Sequence, residues 1–149
     1  MNARNVIALP SVLALAAAAA AAPAPSVTYI PADRVKAAFE QGVPLLEAAN
    51  YKIHASRRDG PGQVEVHEKD TDVIHVLTGT ATLVTGGTVV GAKATAVEEI
   101  RGTDVQGGET REIKAGDVIV VPNGTPHWFK AVPSPMTYYV VKVRAEGGK

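Results

Sequence analysis

The sequence predicts an all-β domain, an antiparallel sandwich or barrel built from many short strands. Three observations carry that expectation. From Tyr51 onward, stretches rich in Val, Ile, Thr and Tyr alternate with clusters of Gly, Pro, Asn and Asp, the texture of short strands and turns. No helical periodicity returns after an early segment at residues 31–41. The chain has 149 residues, enough for one domain with a real core and too few for two comfortable ones. Sheets of this kind close on themselves or pair face to face, which protects their edges.

The elements follow in order. Residues 1–24 have the layout of a secretory signal peptide: Arg4, then an apolar Ala-rich run, then Ala and Pro before the cut. The run contains Pro10 and is too weak for a membrane span, so no membrane is expected after cleavage. The leader lacks an Arg-Arg pair, which points to the general secretion route and a periplasmic or secreted product. Residues 25–50 form an extension with a short helix over 31–41. Asp33 can cap it, Val35, Ala38 and Phe39 make one apolar face, and Gly42 can end it. The barrel is expected over 51–145. Its strands fall near 51–57, 63–67, 72–78, 81–85, 88–94, 110–114, 118–121, 127–131 and 137–143. Residues 97–109 are polar and Gly-rich and are read as a loop or hairpin insertion.

Composition excludes several functions. Lys and Arg number 15, Asp and Glu 15, so the formal net charge is zero. Nucleic acid and anionic membranes attract clustered Lys and Arg, and here the lysines are scattered. The chain has no cysteine, so disulfides, thiolate sites and a Cys-linked lipid are excluded. Any metal must be held by nitrogen and oxygen.

Two stretches carry chemistry. In "GDVIVVPNGTPHWFK", a β-branched run ends in the double-proline turn Pro122-Asn123-Gly124-Thr125-Pro126, directly before His127. In "GPGQVEVHEKDTDVIHVLTG", Glu65 and His67 are two apart, so a strand points both to one face. Asp72 opens the next strand. Two carboxylates and an imidazole could converge there, and His127 could complete the set. Such donors suit Mn, Fe, Co, Ni or Zn. The same alternation also fits a solvent-facing side with Val64 and Val66 inside.

These residues resemble the cupin superfamily, small β-barrel proteins marked by two motifs. In the family's second motif, Gly116, Pro122, Gly124 and His127 all match, and Ala131 replaces an asparagine. In its first, Gly60 and Gly79 stand at the ends, the opening glycine one residue nearer than usual. Glu65 takes the place of the first histidine, His67 matches the second, and Asp72 replaces a glutamate. The spacer at residues 80–115 is long for a small cupin. The resemblance implies a double-stranded β-helix, or jelly-roll barrel, to which the short N-terminal helix read above is added. It implies a divalent metal ion (Zn, Mn, Fe or Ni) held by Glu65, His67, Asp72 and His127. Without a cation, burying both carboxylates would make them repel and raise one pKa.

Other residues have their expected places. Phe129 shares the His127 face and should line the pocket. Tyr138 and Tyr139 each fit core or pocket rim, and Tyr139 is assigned to the lining. Arg57 and Arg58 fit solvent or an anionic ligand, and Arg58 is assigned to the lining. His54 should face away from Tyr51, Ile53 and Ala55. His75 should point opposite to Asp72, toward a second sheet or a dimer face. The expected function is an exported, metal-binding cupin that binds or acts on a small organic molecule, a sugar acid or an oxygenated aromatic. An enzyme would be of the isomerase, lyase or dioxygenase type. The alternative is a non-catalytic cupin that binds a small ligand or serves as a structural homodimer.

Overall fold

The computed structural model of the protein describes residues 26–145. The expected signal peptide lies outside the described residues. The helix α1 is Ala32–Gln41, followed by β1 Pro44–Glu47, β2 Tyr51–Arg58, β3 Val64–His67, β4 Asp70–Thr78 and β5 Thr80–Thr85. Then come β6 Thr88–Val90, β7 Lys93–Ala96, β8 Glu99–Gly102, β9 Asp104–Gln106, β10 Glu109–Lys114, β11 Val118–Val121, β12 His127–Ala131 and β13 Met136–Arg144. All strand pairings described are antiparallel.

Two sheets make the barrel. One runs β1-β2-β13-β4-β11, the other β10-β5-β12-β3-β8-β7. A small ribbon pairs β6 with β9. The non-sequential strand order is the jelly-roll arrangement, with β13 returning to lie between β2 and β4. Alternation along the strands decides what lies between the sheets. In β13, Met136, Tyr138 and Val140 are buried, and in β4, Asp72, Ile74 and Val76 are. With Leu83, Ile113, Val121 and Phe129, all of these but Asp72 make one apolar cluster.

Several expectations change in detail. Asp33 does not cap α1: Pro31 holds the N-cap position and makes no side-chain cap bond. Asp33 sits instead in the first turn, where a negative charge complements the helix dipole. Gly42 ends the helix in the left-handed region, φ 66°, and its N–H reaches the carbonyl of Ala38 at 2.8 Å. Strand β1 falls within the expected extension, so part of residues 25–50 belongs to the first sheet. The expected strand 88–94 splits at a turn into β6 and β7. Of the loop or hairpin expected over 97–109, the hairpin is found: β8 turns back on β7 and also pairs directly with β3, and β9 pairs with β6.

Candidate metal centre

Register places the polar cluster. His127 on β12 stands opposite Glu65 on β3. On the other side of β3, Glu65 faces Arg101 and His67 faces Glu99 on β8. In the first sheet, Asp72 on β4 pairs with Lys142 on β13. Directly opposed residues share a face with their side chains close together, so every one of these pairs can interact. The two sheets bring the two sets together across the barrel.

The double-proline turn is tied to the strand it serves. The N–H of Gly124 donates to the carbonyl of His67 at 2.7 Å. The backbone N–H of Asn123 donates to Thr71 Oγ1 at 3.2 Å, and its side-chain amide donates to the carbonyl of Glu68 at 3.1 Å. The turn before His127 is thus stapled to the segment that runs from His67 to Asp72. Gly124 has φ 75°, a conformation costly for side chains with a Cβ. His127 enters the interior only 3% exposed.

Four expected donors converge. His67 Nε2 lies 3.6 Å from Glu65 Oε2 and 3.4 Å from Asp72 Oδ2. His127 Nε2 lies 3.8 Å from each of the same two oxygens. The ligand atoms of Glu65, His67 and His127 all fall within 4.8 Å of one another. Donors about 2.1 Å from one ion lie at most about 4.2 Å apart, so small side-chain shifts suffice to close the set. Asp72 stands outside this three-residue group, and Lys142 Nζ holds both its oxygens, at 2.8 and 2.9 Å.

Both imidazoles present Nε2 to the centre. His127 Nδ1 lies 3.4 Å from the carbonyl oxygen of Thr125, which can only accept, so Nδ1 carries the proton. His67 Nδ1 is hydrogen-bonded to the Glu99 carboxylate, with the same consequence. Asp72 Oδ2 is near His67 Nε2 but not in hydrogen-bonding geometry, and that nitrogen is buried without a hydrogen-bond partner among the described residues. Burying an unpaired acceptor is costly. When His67 is charged Nε2 carries a proton; once deprotonated, its lone pair faces a second imidazole and a carboxylate, a placement that fits a metal ion. The donor set suits Zn, Mn, Fe or Ni.

The electrostatics are built from cross-strand ion pairs. Glu65 Oε1 accepts from Arg101 Nη1 at 2.5 Å and Arg58 Nη2 at 3.1 Å, which leaves Oε2 turned to the imidazoles. Arg101 also reaches Glu99 at 2.6 Å. Burial works to raise the Glu65 carboxyl, but Arg101, His127 and Arg58 outweigh it and hold it below the usual range. Burial likewise opposes ionisation of Asp72, and His67 and Lys142 together pull it down. Burial lowers His67, but Asp72 and Glu99 more than offset this, so it is raised. His127 is lowered, chiefly by burial. Burying both carboxylates was expected to need a cation. Arg58, Arg101 and Lys142 already supply positive charge.

The cluster opens on a cavity of about 350 Å³. Arg58 and Phe129 line it as expected. The Arg58 guanidinium lies 4.4 Å over the Phe129 ring, and its Nε donates to Tyr138 OH at 2.9 Å. The place assigned to Tyr139 is corrected: Tyr138 lines the cavity and Tyr139 does not. Alternation along β13 turns Tyr139 outward, where its ring packs edge-on against Phe39 of α1, 4.9 Å between centroids. His54 lines the cavity with Ser56, on the side away from Ile53 and Ala55. His75 is exposed on the outer face, opposite to Asp72.

Sequence reasoning missed Glu99, Arg101 and Lys142. Lys142 had a legible signal, since it alternates in step with Val140 at the end of a strand. Glu99 and Arg101 had only their own alternation, in a segment whose Gly content reads as loop.

The cupin family profile matches residues 18–148, and the chain belongs to the cupin family. Among solved structures it is similar to a cupin protein from Bacteroides fragilis, at 16% identity and TM-score 0.50, covering 72% of this chain and 80% of that one. It is similar to a double-stranded β-helix protein from Klebsiella pneumoniae, at 16% identity and TM-score 0.51, covering 74% and 90%. A third is hydroquinone 1,2-dioxygenase from Sphingomonas with 4-hydroxybenzoate bound, at 15% identity and TM-score 0.52, covering 70% and 66%. At these identities the likeness shows the fold. No curated protein matches the chain.

Proposed function

We propose that this protein is an exported cupin that holds a divalent metal ion through Glu65, His67 and His127 and binds or transforms a small organic molecule in the adjoining cavity. Asp72 becomes a fourth donor when Lys142 releases it. The carrying observation is the buried, unpartnered Nε2 of His67 beside His127 Nε2 and Glu65 Oε2. A bound ion supplies Lewis acidity toward a carbonyl, carboxylate or water oxygen. The chain's own residues do the rest. Glu99 orients His67, Arg58 and Arg101 hold Glu65 with one oxygen inward, and Phe129 and Tyr138 wall the cavity against water. The Asp72 carboxylate, kept ionised by Lys142, can accept a proton at Oδ2.

The structural neighbours include a dioxygenase, and the reading covers isomerase, lyase and dioxygenase chemistry on a sugar acid or oxygenated aromatic. Export rests on the leader at residues 1–24. A homodimer through the outer face of the first sheet is supported by Val118 and Val120, which stand exposed beside His75.

One observation favours a second reading, a non-catalytic ligand-binding cupin. Arg58, Arg101 and Lys142 already neutralise Glu65 and Asp72. Elemental analysis of protein from the exported fraction, with melting curves before and after chelator, separates the two. Near-stoichiometric zinc or manganese and a chelator-sensitive melt are expected. Predominant iron would contradict metal loading outside the cytoplasm, and no metal with no chelator effect would leave the second reading.

A further inference from the structure

We infer that the cavity takes a small carboxylate with an apolar body, and that this anion and the metal ion bind cooperatively. The inference deepens the metal reading and rests on it. Glu65, Asp72 and Glu99 carry three negative charges around the centre, and Arg58, Arg101 and Lys142 carry three positive ones. The cluster is therefore balanced by side chains alone. A divalent ion on Glu65 and two neutral imidazoles adds two charges with no protein counterpart. Glu65 Oε1 already faces two guanidiniums. Excess charge in a partly buried cavity is poorly screened, so an incoming anion lowers the energy of the loaded site more than that of the bare one.

The cavity has the means to hold such an anion. An ammonium has three donors, and Lys142 directs Nζ to the two oxygens of Asp72, which leaves one donor for a ligand. Its side chain is 21% exposed and lines the cavity. If the metal draws on Asp72, Lys142 gains donors as the anion arrives. The same cavity is walled by Ile74, Phe129, Tyr138 and Val140, all buried and three of them aliphatic or aromatic hydrocarbon. His54, Ser56 and Arg58 line the same cavity, so a carboxylate end can meet the cations while an apolar body lies along the side formed by Phe129 and Val140.

Calorimetric titration of Zn²⁺ into chelator-treated protein tests the coupling, with benzoate as probe and benzamide as its neutral counterpart. Benzoate is expected to raise the Zn²⁺ association constant about tenfold, a coupling of about 1.4 kcal/mol, and benzamide to leave it within about twofold. Lys142→Met should reduce the benzoate effect to about twofold or less, and Lys142→Arg should retain most of it. The ratio with and without benzoate is the readout, since freeing Asp72 alters the absolute affinity. Zn²⁺ binding of equal strength in benzoate and benzamide would overturn the coupling while leaving the metal reading standing. No Zn²⁺ binding in any of the three buffers would remove the metal reading and the coupling with it. The wild-type comparison decides the matter even if Lys142→Met fails to fold.

Discussion

Removing Glu99 is the sharpest perturbation of the centre that leaves its donors in place. Glu99 accepts from His67 Nδ1 and binds Arg101 at 2.6 Å, and its side chain is only 19% exposed. Truncation to Ala removes one charge-assisted hydrogen bond in a poorly solvated site, worth about 1.5–3 kcal/mol. It leaves His67 free to turn and frees its tautomer, so the lone pair at Nε2 is no longer enforced. It also leaves Arg101 to Glu65 alone, which draws that carboxylate away from the imidazoles. Loss of such an outer partner typically weakens metal binding about 10–100-fold. Zn²⁺ titration should therefore show Glu99→Ala weaker by that factor, with the stoichiometry unchanged. Glu99→Gln should lose less, because its amide oxygen still accepts from Nδ1. Glu112→Ala is the control, as the exposed Glu112 accepts from the half-buried Thr82 on the far side of the second sheet and should bind as wild type. If Glu99→Ala binds Zn²⁺ as tightly as wild type, the reasoning that fixes His67 through Nδ1 is wrong.

Three further outcomes are expected. Gly79→Ala should destabilise the fold by about 2–5 kcal/mol in urea unfolding, because φ is 81° there and a Cβ would meet Met136 Cβ at 2.7 Å and Pro135 O at 2.9 Å; a loss under about 0.5 kcal/mol would refute the close approach. Phe129→Ala should cost about 3–5 kcal/mol, since the ring is 3% exposed and stacks on both Tyr138 and Arg58; an unchanged urea midpoint would place Phe129 outside the core. Glu65 and Asp72 are lowered on folding, so their stabilisation is full above the unfolded value near 4 and is lost as pH falls through the lower folded values. Melting of metal-stripped protein should therefore weaken as pH drops below about 4; His127, lowered by burial, weakens the fold in the same sense as pH falls below about 6.5, while the raised His67 opposes it, and flat melting temperatures from about pH 5 to 3 would contradict the sign.

What the sequence alone determined was set by local chemistry. Short β-branched runs broken by Gly and Pro could only become strands and turns, and the antiparallel barrel follows from their number. The positions of Gly116, Pro122, Gly124 and His127 marked the aimed histidine, because a double-proline turn permits few backbone paths. Glu65 and His67 on one face follow from the two-residue repeat of a strand. Tertiary structure decided which cations meet the carboxylates. Lys142 is 70 residues from Asp72, and Arg101 and Glu99 lie on a strand inserted in the second sheet. Tyr138 and Tyr139 are adjacent in sequence and equally aromatic, and only the packing of α1 on the outer face assigns Tyr139 to Phe39 and Tyr138 to the cavity. Strand alternation says that neighbours face opposite ways, but it does not say which way is inside. That is fixed by register between distant strands, where charges and apolar faces from both sheets must be satisfied at once.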